Sequence, residues 1–196
     1  MTSSFKINEI FYSLQGEGFF TGTPSLFIRF SGCNLHCPFC DTQHNEGTFM
    51  TVEEIVRAAD SVPASHVVLT GGEPSLFVTE ELTRALKAGG KRFLAMETNG
   101  THAIAPGVDW ITLSPKFEFT ENAQLAIQSC DELKVVYTGQ DLTPYENIQA
   151  THRFLQPCDT GDATRNREII ERTVQTCLDN PQWRLSLQTH KVLQIR

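Results

Sequence analysis

The 196-residue sequence has no apolar run near the roughly 20 residues that a membrane-spanning helix needs, so no membrane span is expected. It has no excess of positive charge. Sixteen lysines and arginines face 23 aspartates and glutamates, and the net charge of −7 argues against non-specific nucleic-acid binding. The opening residues, MTSSFKINEI, lack the charged-then-apolar order of a secretory leader, which points to the cytoplasm. Internal repeats, low-complexity tracts and linkers are also missing, so residues 1–196 read as one domain. In a reducing compartment, six cysteines are expected to be ligands or buried thiols rather than a disulfide frame.

What is there is ordinary globular material, 40% hydrophobic, enough for a sizeable core. Seven short apolar runs read as strands: SLFIRF (25–30), HVVLT (66–70), RFLAME (92–97), DWITL (109–113), ELKVVY (132–137), RFLQ (153–156) and WRLSL (183–187). Their near-continuous apolar character suits a parallel sheet covered on both faces. Helices fall between several of them. TVEEIVRAAD opens with Thr51 and Glu54 in capping-box spacing. TEELTRALKAGG is acidic in its first turn and ends in glycines. ATRNREIIERTVQTCLDN sets Ile169, Ile170, Val174 and Leu178 roughly along one face, and ENAQLAIQSC (121–130) reads as a fourth helix. Strands outnumber helices, and the chain is short of the ~250 residues of a full eightfold barrel. The expected fold is α/β, a truncated TIM-type barrel of mostly parallel strands with few helices.

Nearly every strand runs straight into polar or glycine-rich residues: SGC, GGEP, TNGT, SPK, PCD and QTH. In α/β barrels the C-terminal strand ends carry the active site, so six separated segments should converge on one face. One of them opens GCNLHCPFCDT, with Cys33, Cys37 and Cys40 in Cys-x3-Cys-x2-Cys spacing. A fourth cysteine is lacking. Three thiolates can hold zinc with His36 or His44 as the fourth ligand. They can equally hold three irons of a [4Fe–4S] cluster and leave one iron open to a small molecule.

This loop, with Phe39 just before the last cysteine, resembles that of the radical S-adenosylmethionine enzymes. Gly71-Gly72-Glu73-Pro74, by itself a plain strand-to-helix turn, resembles the motif with which that superfamily holds the amino group of S-adenosylmethionine. The likeness narrows further. FYSLQGEGFFTGTPSLFIRFSGCNLHCPFCDT, HVVLTGGEP, ETNGT, SPK, LQPCD and RLSLQTHKVLQIR cover essentially the whole chain. Together they resemble the 7-carboxy-7-deazaguanine synthases of queuosine and deazapurine biosynthesis. A glycyl-radical activase fits LQGEG and QTHK poorly, and a zinc-binding interaction module is the rival from another class.

The resemblance implies a compact truncated barrel, a homodimer, a low-potential electron donor, and conversion of 6-carboxy-5,6,7,8-tetrahydropterin with ring contraction and loss of ammonia. A deoxyadenosyl radical from S-adenosylmethionine would begin the reaction at C6. The resemblance also assigns roles. Cys33, Cys37 and Cys40 carry the cluster. Gly72, Glu73, Asn99, Ser114, Pro115, Lys116, Gln156, Pro157, Cys158 and Asp159 line S-adenosylmethionine, with Glu97 beside that pocket. Leu14, Gln15, Gly16, Glu17, Thr70 and His190 meet the pterin. Arg29, a guanidinium among apolar neighbours, meets its carboxylate, and the carboxylate at Arg196 takes part in substrate binding. Thr42 binds Mg2+, which bridges to the substrate. Read alone, Asp41-Thr42 is a cap or turn. Cys130 and Cys177 read as small packed residues.

Overall fold

The computed structural model describes residues 3–121 and 123–196. Its centre is one nine-stranded sheet. In chain order the strands are β1 (Ser4–Leu14), β2 (Pro24–Phe30), β3 (Thr48–Thr51), β4 (His66–Gly71), β5 (Phe93–Thr98), β6 (Trp110–Leu113), β7 (Ser129–Tyr137), β8 (Gln149–Pro157) and β9 (Arg184–Leu185). The helices are α1 (Val52–Asp60), α2 (Glu80–Lys87), α3 (Ala163–Asp179) and α4 (Thr189–Leu193). The spatial order is β3-β1-β2-β4-β5-β6-β7-β8-β9. From β2 to β9 every pairing is parallel, and β1 is antiparallel to both its neighbours. Among the described residues β3 and β9 do not pair, so the barrel stays open. None of the described helices is long and apolar enough to cross a membrane.

The seven expected strands are the seven parallel ones. Their outer faces pack against helices: Leu26, Ile28, Val67, Leu69, Leu94 and Met96 meet Ile55, Leu82 and Leu86, while Leu133, Val135 and Leu155 gather with Trp183 and Tyr145. The expected capping box at Thr51 and Glu54 is present. Two strands were not foreseen. In β1, SFKINEIFYSL, apolar and polar residues interleave, and a bulge between Ile7 and Glu9 breaks the period. That bulge switches the face the strand presents. It leaves Phe5 and Ile7 in the helix-covered core yet brings Phe11 to the cavity wall opposite Phe27.

Three expectations are corrected. Residues 123–128 are not helical, and Asn122 lies outside the described residues. Leu125 and Ile127 alternate, as suits an extended segment, and pack into the second core beside Gly100. Along α3, Ile169 and Thr173 are buried, whereas Ile170, Val174 and Leu178, one turn-step round, are exposed. The last strand is only Arg184–Leu185: Ser186 still donates its amide to the Leu155 carbonyl at 2.9 Å, and the chain then winds into α4 from Thr189.

Candidate active site

A cavity of about 310 Å³ opens at the C-terminal ends of the parallel strands, within the range of small-molecule sites. Of the residues singled out above, it draws in Leu14, Gln15, Gly16, Glu17, Arg29, Cys33, Cys37, Cys40, Thr42, Thr70, Gly72, Glu73, Asn99, Ser114, Lys116, Gln156, Pro157, Cys158, Asp159, His190 and Arg196. Pro115 is not on the wall.

One end of the cavity holds the thiols. Cys33 follows β2 directly, its sulfur accepting the Leu35 amide at 3.4 Å, and the Cys40 amide donates to the Cys37 carbonyl at 3.1 Å. Burial pushes the Cys33 and Cys37 thiols up, so holding them as thiolates calls for positive charge in the cavity. Among the described residues no three His, Cys, Asp or Glu side chains form a ready cage for one metal ion. The three thiols share the wall of a roomy cavity, which fits a multi-iron cluster better than a single zinc ion.

The strand-to-helix turn at Gly72 is packed against the thiol loop. The Glu73 amide donates to the Gly32 carbonyl at 2.9 Å, and a Cβ at Gly72 would lie 2.0 Å from that same oxygen. Only glycine permits this approach. The Glu73 carboxylate is a brace: it accepts from the Ser75 amide, the Thr98 hydroxyl and the Asn99 amide at 3.0, 2.6 and 2.7 Å. Thus β4 and β5 are tied together beneath the thiols. Lys116 donates to the Ser114 carbonyl and hydroxyl, and burial draws its pKa down. Across the mouth, Lys191 pairs with Asp159 at 2.8 Å and Asp41 at 3.5 Å. Hydrogen bonds from Lys191, the Gly161 amide and Asn166 hold Asp159 at about 2.

The other end is built differently. Arg29 bonds Glu9 through Nε at 2.9 Å and reaches the Thr42 hydroxyl through Nη1 at 3.3 Å. Arg196 also pairs with Glu9, and its guanidinium lies 5.1 Å above the Phe11 ring. Two guanidiniums sharing the Glu9 carboxylate gather N–H donors at this corner, a grouping suited to an anionic ligand group. Deeper in, Lys134 Nζ bridges Glu17 at 2.7 Å and Glu97 at 2.8 Å. Gln188 donates to the far oxygen of Glu17 at 2.9 Å, and Gln15 to that of Glu97 at 3.4 Å.

Gln15–Gly18 do not come from the C-terminal strand ends. They belong to the β1–β2 connection, and they meet the chain after β9 across the open side of the barrel. Thr189 donates its amide and hydroxyl to the Gly16 carbonyl at 2.9 and 2.8 Å, and the Gly18 amide donates to Ser186. A Cβ on Gly16 would strike His190 Nδ1 at 2.3 Å. This seam closes laterally what the sheet leaves unpaired. Sequence reasoning missed Lys134, Glu9 and Phe11. For Lys134 a signal existed: Glu132, Lys134 and Val136 alternate with buried Leu133, Val135 and Tyr137, marking an inward face that carries charge. For Glu9 and Phe11 the bulge hid it.

A sequence profile described as the Radical SAM superfamily matches residues 27–117, from β2 through the Ser114–Lys116 turn. The chain is 52% identical to 7-carboxy-7-deazaguanine synthase of Bacteroides thetaiotaomicron, over 97% of this chain and 98% of that one. It is 39% identical to the protein of the same name from Nitratidesulfovibrio vulgaris, over 98% and 99%. The crystal structure of QueE from Escherichia coli superposes with a TM-score of 0.72 at 27% identity, covering 94% of this chain and 93% of that one. With full-length identity of this order and a matching fold, the chain belongs to the 7-carboxy-7-deazaguanine synthase family of the radical SAM superfamily.

Proposed function

We propose that the protein converts 6-carboxy-5,6,7,8-tetrahydropterin to 7-carboxy-7-deazaguanine, contracting the ring and losing ammonia. The observation that carries this reading is one cavity with the three-cysteine loop at one end, and paired guanidiniums and paired carboxylates at the other. The full-length likeness to named synthases favours it over a glycyl-radical activase or a zinc module.

In this reading Cys33, Cys37 and Cys40 hold a [4Fe–4S] cluster, and the walls at Gly72, Asn99, Ser114 and Gln156–Asp159 hold S-adenosylmethionine. When bound, these groups supply the hydrogen-abstracting radical chemistry. The chain's own residues do the rest. Arg29 and Arg196 take the substrate carboxylate. Glu17 and Glu97 accept hydrogen bonds from the amino and ring N–H edge of the pterin. The seam at Gly16–Thr189 keeps bulk water from the open side. Thr42 would supply one oxygen to Mg2+, which keeps several non-protein ligands and would aid in holding the substrate there.

The proposal includes one functional unit over residues 1–196, a cytoplasmic setting, a low-potential electron donor and a homodimer. The exposed apolar stripe Ile170, Val174 and Leu178 supports the dimer. The test is anaerobic turnover of the carboxypterin with reductant, S-adenosylmethionine and Mg2+, the product identified by mass and ultraviolet spectrum. Reconstituted protein that cleaves S-adenosylmethionine but leaves the pterin intact overturns the reading.

A further inference from the structure

We propose that Lys134 is a positioning residue that holds the Glu17 and Glu97 carboxylates side by side, so that the deep wall of the cavity offers hydrogen-bond acceptors to the substrate. This rests on the carboxypterin reading above and names a residue for it that neither the motifs nor the strand-end loops supply.

Lys134 stands in the middle of β7, its side chain 6% exposed, and its ammonium lies 2.7 and 2.8 Å from the two carboxylates. Burial disfavours that charge, yet Glu17, Glu97 and Glu132 outweigh it and keep Lys134 protonated well above the ordinary lysine range. Burial likewise pushes the Glu17 carboxyl up, but the Lys134 charge and hydrogen bonds from Lys134 and Gln188 prevail and draw it to about 2. Both carboxylates belong to the cavity wall.

Take the ammonium away and two desolvated carboxylates face each other. Glu17, whose carboxyl burial pushes up, then takes a proton. A protonated carboxyl has turned one of its acceptors into a donor, and a donor there opposes the N–H edge of the pterin. The amides of Gln15 and Gln188 orient the outer oxygens but carry no charge, so they do not replace the lysine. The lysine therefore acts through the acids: it fixes their positions and keeps Glu17 ionised, and with that it sets the polarity of the wall.

The experiment compares wild type with Lys134→Met and Lys134→Arg, each reconstituted. Carboxypterin binding is followed by calorimetry on protein without S-adenosylmethionine, and KM and kcat by turnover from pH 6 to about 8.5. Lys134→Met is expected to raise Kd and KM at least ~tenfold with a smaller fall in kcat. Its binding should recover as pH rises, through an ionisation additional to that of Glu132, which wild type shares, because Glu17 must be deprotonated again. Lys134→Arg keeps the cation and should return KM to within about threefold of wild type. If Lys134→Met does not fold, the double variant Lys134→Met, Glu132→Gln removes one buried acid with the cation and carries the same expectation.

A folded Met variant with wild-type Kd and no new ionisation overturns the assignment, as does an Arg variant as impaired as Met. Wild type that neither binds nor converts the carboxypterin overturns the functional reading instead, and this inference with it.

Discussion

At one end of the cavity Cys33, Gly72, Glu73 and Asn99 sit in the turns directly after β2, β4 and β5. At the other, Glu17, Glu97 and Lys134 come from a hairpin connection, a strand end and a strand interior. The first end is held by backbone. Gly72 touches the Gly32 carbonyl, and Glu73 accepts two main-chain amides. Such contacts demand particular residues at fixed offsets in a turn, and short contiguous motifs result. The second end is held by charge between side chains as far as 187 positions apart, and ion pairs impose no local spacing. The cofactor end should accordingly break all at once, and the substrate end by degrees.

The largest effect is expected at the thiols. Changing any one of Cys33, Cys37 or Cys40 to Ala leaves two protein ligands and should abolish turnover and strip bound iron and sulfide; a single variant with full iron and activity defeats the assignment. Next comes Gly72→Ala. Its methyl would lie 2.0 Å from the Gly32 carbonyl and 3.0 Å from the Cys33 amide, so the thiol loop must move. Overpacking of this kind costs about 1–3 kcal/mol. We expect S-adenosylmethionine cleavage to fall at least ~tenfold because near-angstrom misplacement is enough for that. Unchanged cleavage would mean that the loop yields freely.

At the substrate end the expected changes are smaller. Thr42→Ala removes one oxygen of the proposed Mg2+ shell and one partner of Arg29. It should shift the Mg2+ titration of turnover by roughly three- to tenfold while leaving iron content alone. An unmoved titration curve would return Asp41-Thr42 to a plain turn.

The smallest effect on turnover is expected at Glu132, where the change is read in stability. Glu132 is buried, faces Lys134 and Glu97 and accepts the Phe19 amide, and one of its oxygens has no partner among the described residues. Burial pushes its carboxyl up to about 7, with Glu97 adding to the rise and Lys134 opposing it. A carboxyl raised on folding contributes stability below its unfolded pKa near 4.5 and loses it as pH climbs through 7. Glu132→Gln, neutral throughout, should therefore match wild type near pH 4.5 and exceed it by about 3 kcal/mol at pH 8. Urea unfolding at several pH values reads this directly, and a gap that does not change with pH refutes the titration.

The seven parallel strands, three of the four helices and the capping box at Thr51 were legible because each is a local pattern, apolar runs bounded by turn residues. What failed did so for stated reasons. Strand β1 was hidden by its bulge, and the supposed helix at 121–130 gave way to packing of Leu125 and Ile127. On α3 the apolar stripe was misjudged by one residue, about 100° of helix, which separates buried Ile169 from exposed Ile170. The cavity wall was legible almost entirely through motifs, and Lys134 escaped because a lone lysine in a strand has no motif around it.

By itself the sequence determined the strand-to-loop punctuation, the three-thiol loop and the glycines where backbones must touch, since steric and period rules act over a few residues. Only the tertiary structure decided that Gly16 meets Thr189 and His190 across the open side of the barrel, that Arg29 and Arg196 share Glu9, and that one buried lysine serves two acids. Those partners are brought together by sheet order and by the chain's return after β9. Charge attraction through a low-dielectric interior then selects the geometry, whatever the distance along the chain.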